Sequence, residues 1–137
     1  MIKKYQVLMI DDQRWWYETM LPNLQTLNCE VKYLQTAKSA IEDLKTHLYD
    51  LLIVDLRLDE TKEYNTEGLD VLESLAKAEK VPPVIVLSGH INDGLRQKIM
   101  WLKAFAILEK TGDAKNPKSS FKQELFVEVV KKALAIA

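Results

Sequence analysis

Hydrophobic and polar positions fall into a repeating pattern along the chain, in which short apolar runs of strand length alternate with longer stretches of helical period. Five runs read as strands, at Tyr5 to Ile10, Glu30 to Gln35, Leu51 to Leu56, Val84 to Ser88 and Phe105 to Leu108. Three of them, QVLMI, LLIVDL and VIVLS, are almost wholly apolar, as central parallel strands covered on both faces must be. The second, CEVKYLQ, alternates and reads as an edge strand.

Between the strands, apolar residues recur with helical spacing. Ala37, Ala40, Ile41, Leu44 and Leu48 share one face, Leu95, Ile99 and Leu102 another, and Phe126, Val129, Val130, Ala133, Leu134 and Ala137 a third. In the first helix Trp16, Met20 and Leu24 face the core, Trp15 and Tyr17 are more exposed, and Pro22 should kink or break the helix. Ser120, with Gln123 three residues later, has capping-box spacing for a last helix that runs to the end of the chain. The fold class expected from this alternation is α/β: a five-stranded parallel sheet, doubly wound, with helices on both faces.

Composition sharpens this picture. A chain of 137 residues is long enough for one core and too short for two ordinary domains, so residues 1–137 are expected to form a single domain. Nineteen basic residues against twenty acidic ones leave no broad positive field, which argues against direct nucleic-acid or membrane binding. The single Cys29 forms no internal disulfide, His47 and His90 lack zinc-type spacing, and neither a signal-peptide core nor a membrane-length apolar run occurs. A soluble, cytoplasmic protein is expected.

Candidate chemistry comes from the polar residues that interrupt apolar strands. Asp11 and Asp12 end the first strand, Asp55 sits inside the third, Ser88 ends the fourth and Lys110 follows the fifth. Parallel strands bring all five to one edge of the sheet, where an open parallel sheet binds its ligands. Three carboxylates gathered there repel one another unless a cation intervenes, and Mg2+ suits an all-oxygen donor set. Asp55 is then a carboxylate nucleophile for a phosphoryl group, Lys110 neutralises phosphoryl oxygens and Ser88 donates a hydrogen bond. Two longer loops, Asp59 to Glu67 and Thr111 to Ser119, should frame this edge.

Plainer roles stand beside these. The acid pair could cap the first helix, Lys110 could be a salt-bridge partner alone, His90 a solvated loop residue and His47 ordinary helix surface. Trp101 on the fourth helix could mark a contact surface. An aspartate inside an apolar strand is harder to explain away, because burying a carboxylate without a partner is costly.

At these positions the sequence resembles the receiver domain of two-component response regulators. LMIDD, LLIVDLRL, EGLDVLESL on the third helix, VIVLSGH and AILEK carry the resemblance in order across nearly the whole chain. It implies a flavodoxin-like receiver fold and a signalling domain rather than an enzyme, with Asp55 as phosphoacceptor. It also implies Mg2+ held by Asp11, Asp12, Asp55 and the backbone carbonyl of Arg57, with Ser88 as switch hydroxyl, Lys110 at the phosphoryl and Gly89 leaving room for it. The implied partners are a histidine kinase or phosphotransfer protein and a downstream protein or fused output domain. A homodimer through the fourth helix, fifth strand and fifth helix is one candidate assembly.

Several positions depart from the family pattern. Ile107 stands where an aromatic is common, Thr111 where proline usually follows the lysine, which predicts a trans bond there, and no proline follows Leu58. Arg57 and His90, at positions that tune phosphoryl loss in this family, make a cationic mouth predicted to slow attack by water. Two alternatives follow from the same residues. One is a receiver-like interaction module that no longer uses phosphorylation. The other is an aspartate-nucleophile phosphatase, whose second aspartate two residues on is here Arg57.

Overall fold

The computed structural model describes residues 3–56, 67–78, 80–89, 93–110 and 122–136. Five strands and five helices alternate along them: β1 (Tyr5–Ile10), α1 (Arg14–Thr26), β2 (Cys29–Leu34), α2 (Ala37–Leu44), β3 (Leu51–Asp55), α3 (Glu67–Leu75), β4 (Val84–Ser88), α4 (Asp93–Trp101), β5 (Ala106–Glu109) and α5 (Gln123–Ala133). The strands form one sheet in the order β2-β1-β3-β4-β5, and every pairing is parallel. The alternating strand β2 is indeed an edge. The chain passes from β1 to β2 on one side and crosses to β3 on the other, so the sheet's topological switch point lies between β1 and β3.

Strand alternation divides the core in two. Leu8, Ile10, Leu52, Val54, Val84 and Val86 pack with α2, α3 and Ile99 of α4. Val7, Met9, Leu51, Ile53, Ile85 and Leu87 face the other way, onto Trp16, Met20 and Leu24 of α1 and Phe126 and Val130 of α5. Every residue of β3 and β4 is buried, which is why those segments are nearly continuous apolar runs.

Element ends differ from the sequence expectations for local reasons. Helix α2 is capped by Thr36, whose Oγ1 accepts from Ser39 N at 3.1 Å, and it stops at Leu44. Leu48 therefore lies off the helical face and is 82% exposed. Helix α5 begins at Gln123 after Lys122, so Gln123 is the first helical residue and not the third that a capping box requires; Ser120 lies outside the described residues. The helix ends at Ala133, and Ala135 takes a positive φ, which turns the chain before its end. Helix α1 runs unbroken through Pro22, an exposed position where the lost N–H forfeits one helical bond without disturbing the buried face. Trp101 is 84% exposed.

Candidate functional site

The acid pair follows β1 directly, Asp55 closes β3, Ser88 closes β4 and Lys110 follows β5. The ladder carries them to one edge: Asp55 pairs with Leu87, Ser88 with Glu109, and Lys110 N donates to Ser88 O at 2.8 Å. Carboxylate oxygens of Asp11, Asp12 and Asp55 lie within 4.8 Å of one another. Asp11 and Asp55 are buried, Asp12 is half-buried, and Ser88 is buried beside them.

Lys110 binds the cluster together. Its Nζ stands 2.9 Å from Asp11 Oδ2 and 3.0 Å from Asp55 Oδ2, with a side chain only 7% exposed. Burial works against its charge, yet the charges of Asp11 and Asp55 outweigh that and hold its pKa above the ordinary lysine value. Burial pushes the Asp11 carboxyl above the usual range despite Lys110 and the Gln13 N–H, with the Asp12 charge adding to the rise. Three carboxylates and one ammonium leave a negative surplus among the described residues. The donor set is all oxygen and closely gathered, which fits a hard divalent cation.

The supporting contacts explain how the edge is held. Gln13 N donates to Asp11 Oδ1 at 2.9 Å, so Asp11 closes a tight turn before α1, while the helix itself starts after Gln13 without a side-chain cap. The acid pair is not the cap of α1. Tyr33 OH donates to the backbone oxygen of Asp11 at 2.7 Å, and its ring stacks on Tyr17 with centroids 4.3 Å apart. A Cβ on Gly68, in the first turn of α3, would come within 2.3 Å of the Asp55 backbone oxygen, so only glycine lets α3 approach that closely. Among the described residues, a Cβ on Gly89 would meet nothing within 4 Å.

Ile107 is half-buried in β5, opposite Val86, and lines a cavity of about 180 Å³ with Met20, Leu87, Leu125 and Phe126. Arg57, His90 and Thr111 lie outside the described residues, as do the two long loops apart from Glu67, which opens α3. The sequence pattern does not mark Gln13, Tyr33 or Trp16 as site residues, although the Trp16 ring lies 5.5 Å from Lys110 Nζ. Tyr33 and Trp16 meet the site across the fold, and Gln13, beside Asp11 in sequence, reaches Lys110 the same way, so local spacing does not announce these contacts. His47 is also not plain helix surface, since it follows α2 with Nδ1 3.4 Å from Asp43 Oδ1.

Comparison with known proteins agrees with this architecture. The family model described as the response regulator receiver domain matches residues 7–120. The luminescence regulatory protein LuxO of Vibrio campbellii is 31% identical over 67 residues, which is 49% of this chain and 14% of that protein. The chain thus matches a small part of the length of such curated relatives. A response regulator receiver protein from Burkholderia phymatum superposes with a TM-score of 0.75 at 22% identity, covering 98% of each chain. The non-phosphorylated HemR receiver domain from Leptospira biflexa gives 0.77, also at 22% identity, over 98% of this chain and 97% of that one. At these identities the two structures speak for the fold.

Proposed function

The chain belongs to the response regulator receiver domain family, and from that premise we propose that it accepts a phosphoryl group on Asp55 and signals through protein contacts. The observation that carries this reading is a carboxylate 1% exposed at the end of an apolar strand, 3.0 Å from a buried ammonium and within 4.8 Å of two further carboxylates.

Asp55 attacks the phosphorus of a phosphohistidine on a partner histidine kinase or phosphotransfer protein. An O–P bond forms as the P–N bond breaks, and the departing imidazole nitrogen takes a proton from solvent. Asp11, Asp12, Asp55 and the backbone carbonyl of Arg57 are the groups that would hold Mg2+, whose chemistry there is to neutralise carboxylate and phosphoryl charge. Lys110 stays protonated and offers its ammonium to the phosphoryl oxygens, and the Ser88 hydroxyl donates to the same group. Gly89 leaves the approach open, and Arg57 and His90 hinder attack by water. The product is an acyl phosphate with no small-molecule turnover, read by a downstream protein or output domain.

Beryllofluoride with Mg2+ tests the reading, because it forms a stable phosphoryl mimic on a competent aspartate. Both should bind and change the tryptophan emission, Trp16 lying beside Lys110. Unchanged emission together with no bound beryllofluoride would favour a receiver-like interaction module independent of phosphate.

A further inference from the structure

The ammonium of Lys110 has two kinds of neighbour. Asp11 and Asp55 are charged, at 2.9 and 3.0 Å. Gln13 Oε1 at 3.4 Å and the indole face of Trp16, its centroid 5.5 Å from Nζ, are neutral. Trp16 is 2% exposed and sits in the α1–α5 core cluster with Met20, Leu87 and Phe126, while Trp15 leans on it at 4.9 Å. A ring packed so closely cannot swing aside without disturbing that core. An ammonium over an indole within about 6 Å is drawn to the ring's negative face, more strongly where water is excluded.

The two kinds of neighbour respond differently to a divalent cation. A cation held by Asp11 and Asp55 would compete with Lys110 for their carboxylate charge, so the charged half of the cradle would weaken. A hard cation seeks oxygen and has no claim on an indole face. The Trp16 contact therefore survives.

We propose that Trp16 is a positioning residue for Lys110, its indole keeping the ammonium at the strand ends while the carboxylates turn to the cation. This rests on the reading of Asp55 as phosphoacceptor. Gln13 assists as a neutral acceptor.

The test compares the full chain with Trp16→Phe and Trp16→Leu. Phosphoryl uptake from acetyl phosphate at saturating Mg2+ is followed by intact mass, Mg2+ affinity by calorimetry, and the folded fraction by urea unfolding. Per folded molecule, uptake should slow about 2- to 5-fold in Trp16→Phe and about 10-fold in Trp16→Leu, following ring electrostatics, with Mg2+ affinity changed less than about 2-fold. Equal rates for the two variants, whether fast or slow, overturn the inference in favour of plain core packing. A Mg2+ affinity that falls in step with uptake overturns it as well, assigning the effect to the carboxylates. Should Trp16→Leu fail to fold, the ε-methylene proton resonances of Lys110 carry the test in the wild-type protein. They should be shifted upfield by the indole both with and without Mg2+, and loss of that shift on adding Mg2+ refutes the proposal. A wild-type chain that takes up no phosphoryl removes the acceptor reading and this inference with it, whereas variants that match an active wild type remove the inference alone.

Discussion

Among the described residues, two carboxylate centres treat negative charge in opposite ways. On the β2 side, Asp43 of α2, with a side chain 8% exposed, accepts from Lys32 Nζ and Tyr49 OH and has His47 Nδ1 at 3.4 Å. Burial pushes its pKa up, but the Lys32 and Tyr49 hydrogen bonds, with the charges of Lys32 and His47, outweigh it and leave the carboxyl below its ordinary value. At the strand ends three carboxylates share one buried ammonium, and Asp11 is held above its ordinary value. One centre is saturated with donors and pins α2 to the edge strand. The other keeps a surplus of charge in its resting state, a cost that makes sense where a cation is to be bound.

The sharpest way to break this contrast is to remove the ammonium that the strand-end carboxylates share. Lys110→Ala leaves Asp11 and Asp55 buried without their shared ammonium and should destabilise the fold by about 3–5 kcal/mol in urea unfolding. Millimolar Mg2+ should restore part of that loss, since a ligand that binds only the folded chain stabilises it by mass action. No recovery would mean that the surplus is not a cation site.

A smaller effect is expected at the saturated centre. Asp43→Ala strands the Tyr49 hydroxyl and frees Lys32, at a cost of about 1–3 kcal/mol that Mg2+ does not recover. Asp43 also ties stability to pH. Because its folded pKa is depressed, its contribution is complete above the ordinary value of 3.8 and is lost as pH falls through the lower folded value. Acid titration of the urea midpoint should show a component in that range that is absent from Asp43→Asn. Its persistence in the variant would assign the acid sensitivity elsewhere.

The smallest change in resting stability is predicted for Asp12→Asn. Asp12→Asn takes one charge out of a repelling cluster, so unfolding without metal should shift by no more than about 1 kcal/mol, towards greater stability. The rise in Tm that Mg2+ gives the wild-type chain should nevertheless shrink or vanish. A variant that retains the full Mg2+ response would place the cation away from Asp12.

Much of this was legible in the residues themselves. The apolar runs of β1, β3 and β4 reveal a sheet covered on both faces, and an aspartate closing such a run at Asp55 stands out because burial there is costly. Parallel strands then carry Ser88 and Lys110 to the same edge without further information. Contacts made across the fold were not legible. Gln13 reaches Lys110 over 97 residues of sequence, and the Trp16 face meets the ammonium only because α1 packs beside β5 and α5. Lys32, Asp43 and Tyr49 each look like ordinary surface positions, and their convergence depends on how α2 lies against β2. The end of α2 was not legible either, because Leu48 continues the apolar spacing although its side chain is exposed.

The central claim is that Asp55 takes up a phosphoryl group, and intact-mass measurement after incubation with acetyl phosphate and Mg2+ tests it most directly. The wild-type chain should gain the mass of one phosphoryl group, and Asp55→Ala, folded to the same extent, should gain none. An unmodified wild-type chain, or an Asp55→Ala chain that gains the same mass, would contradict it.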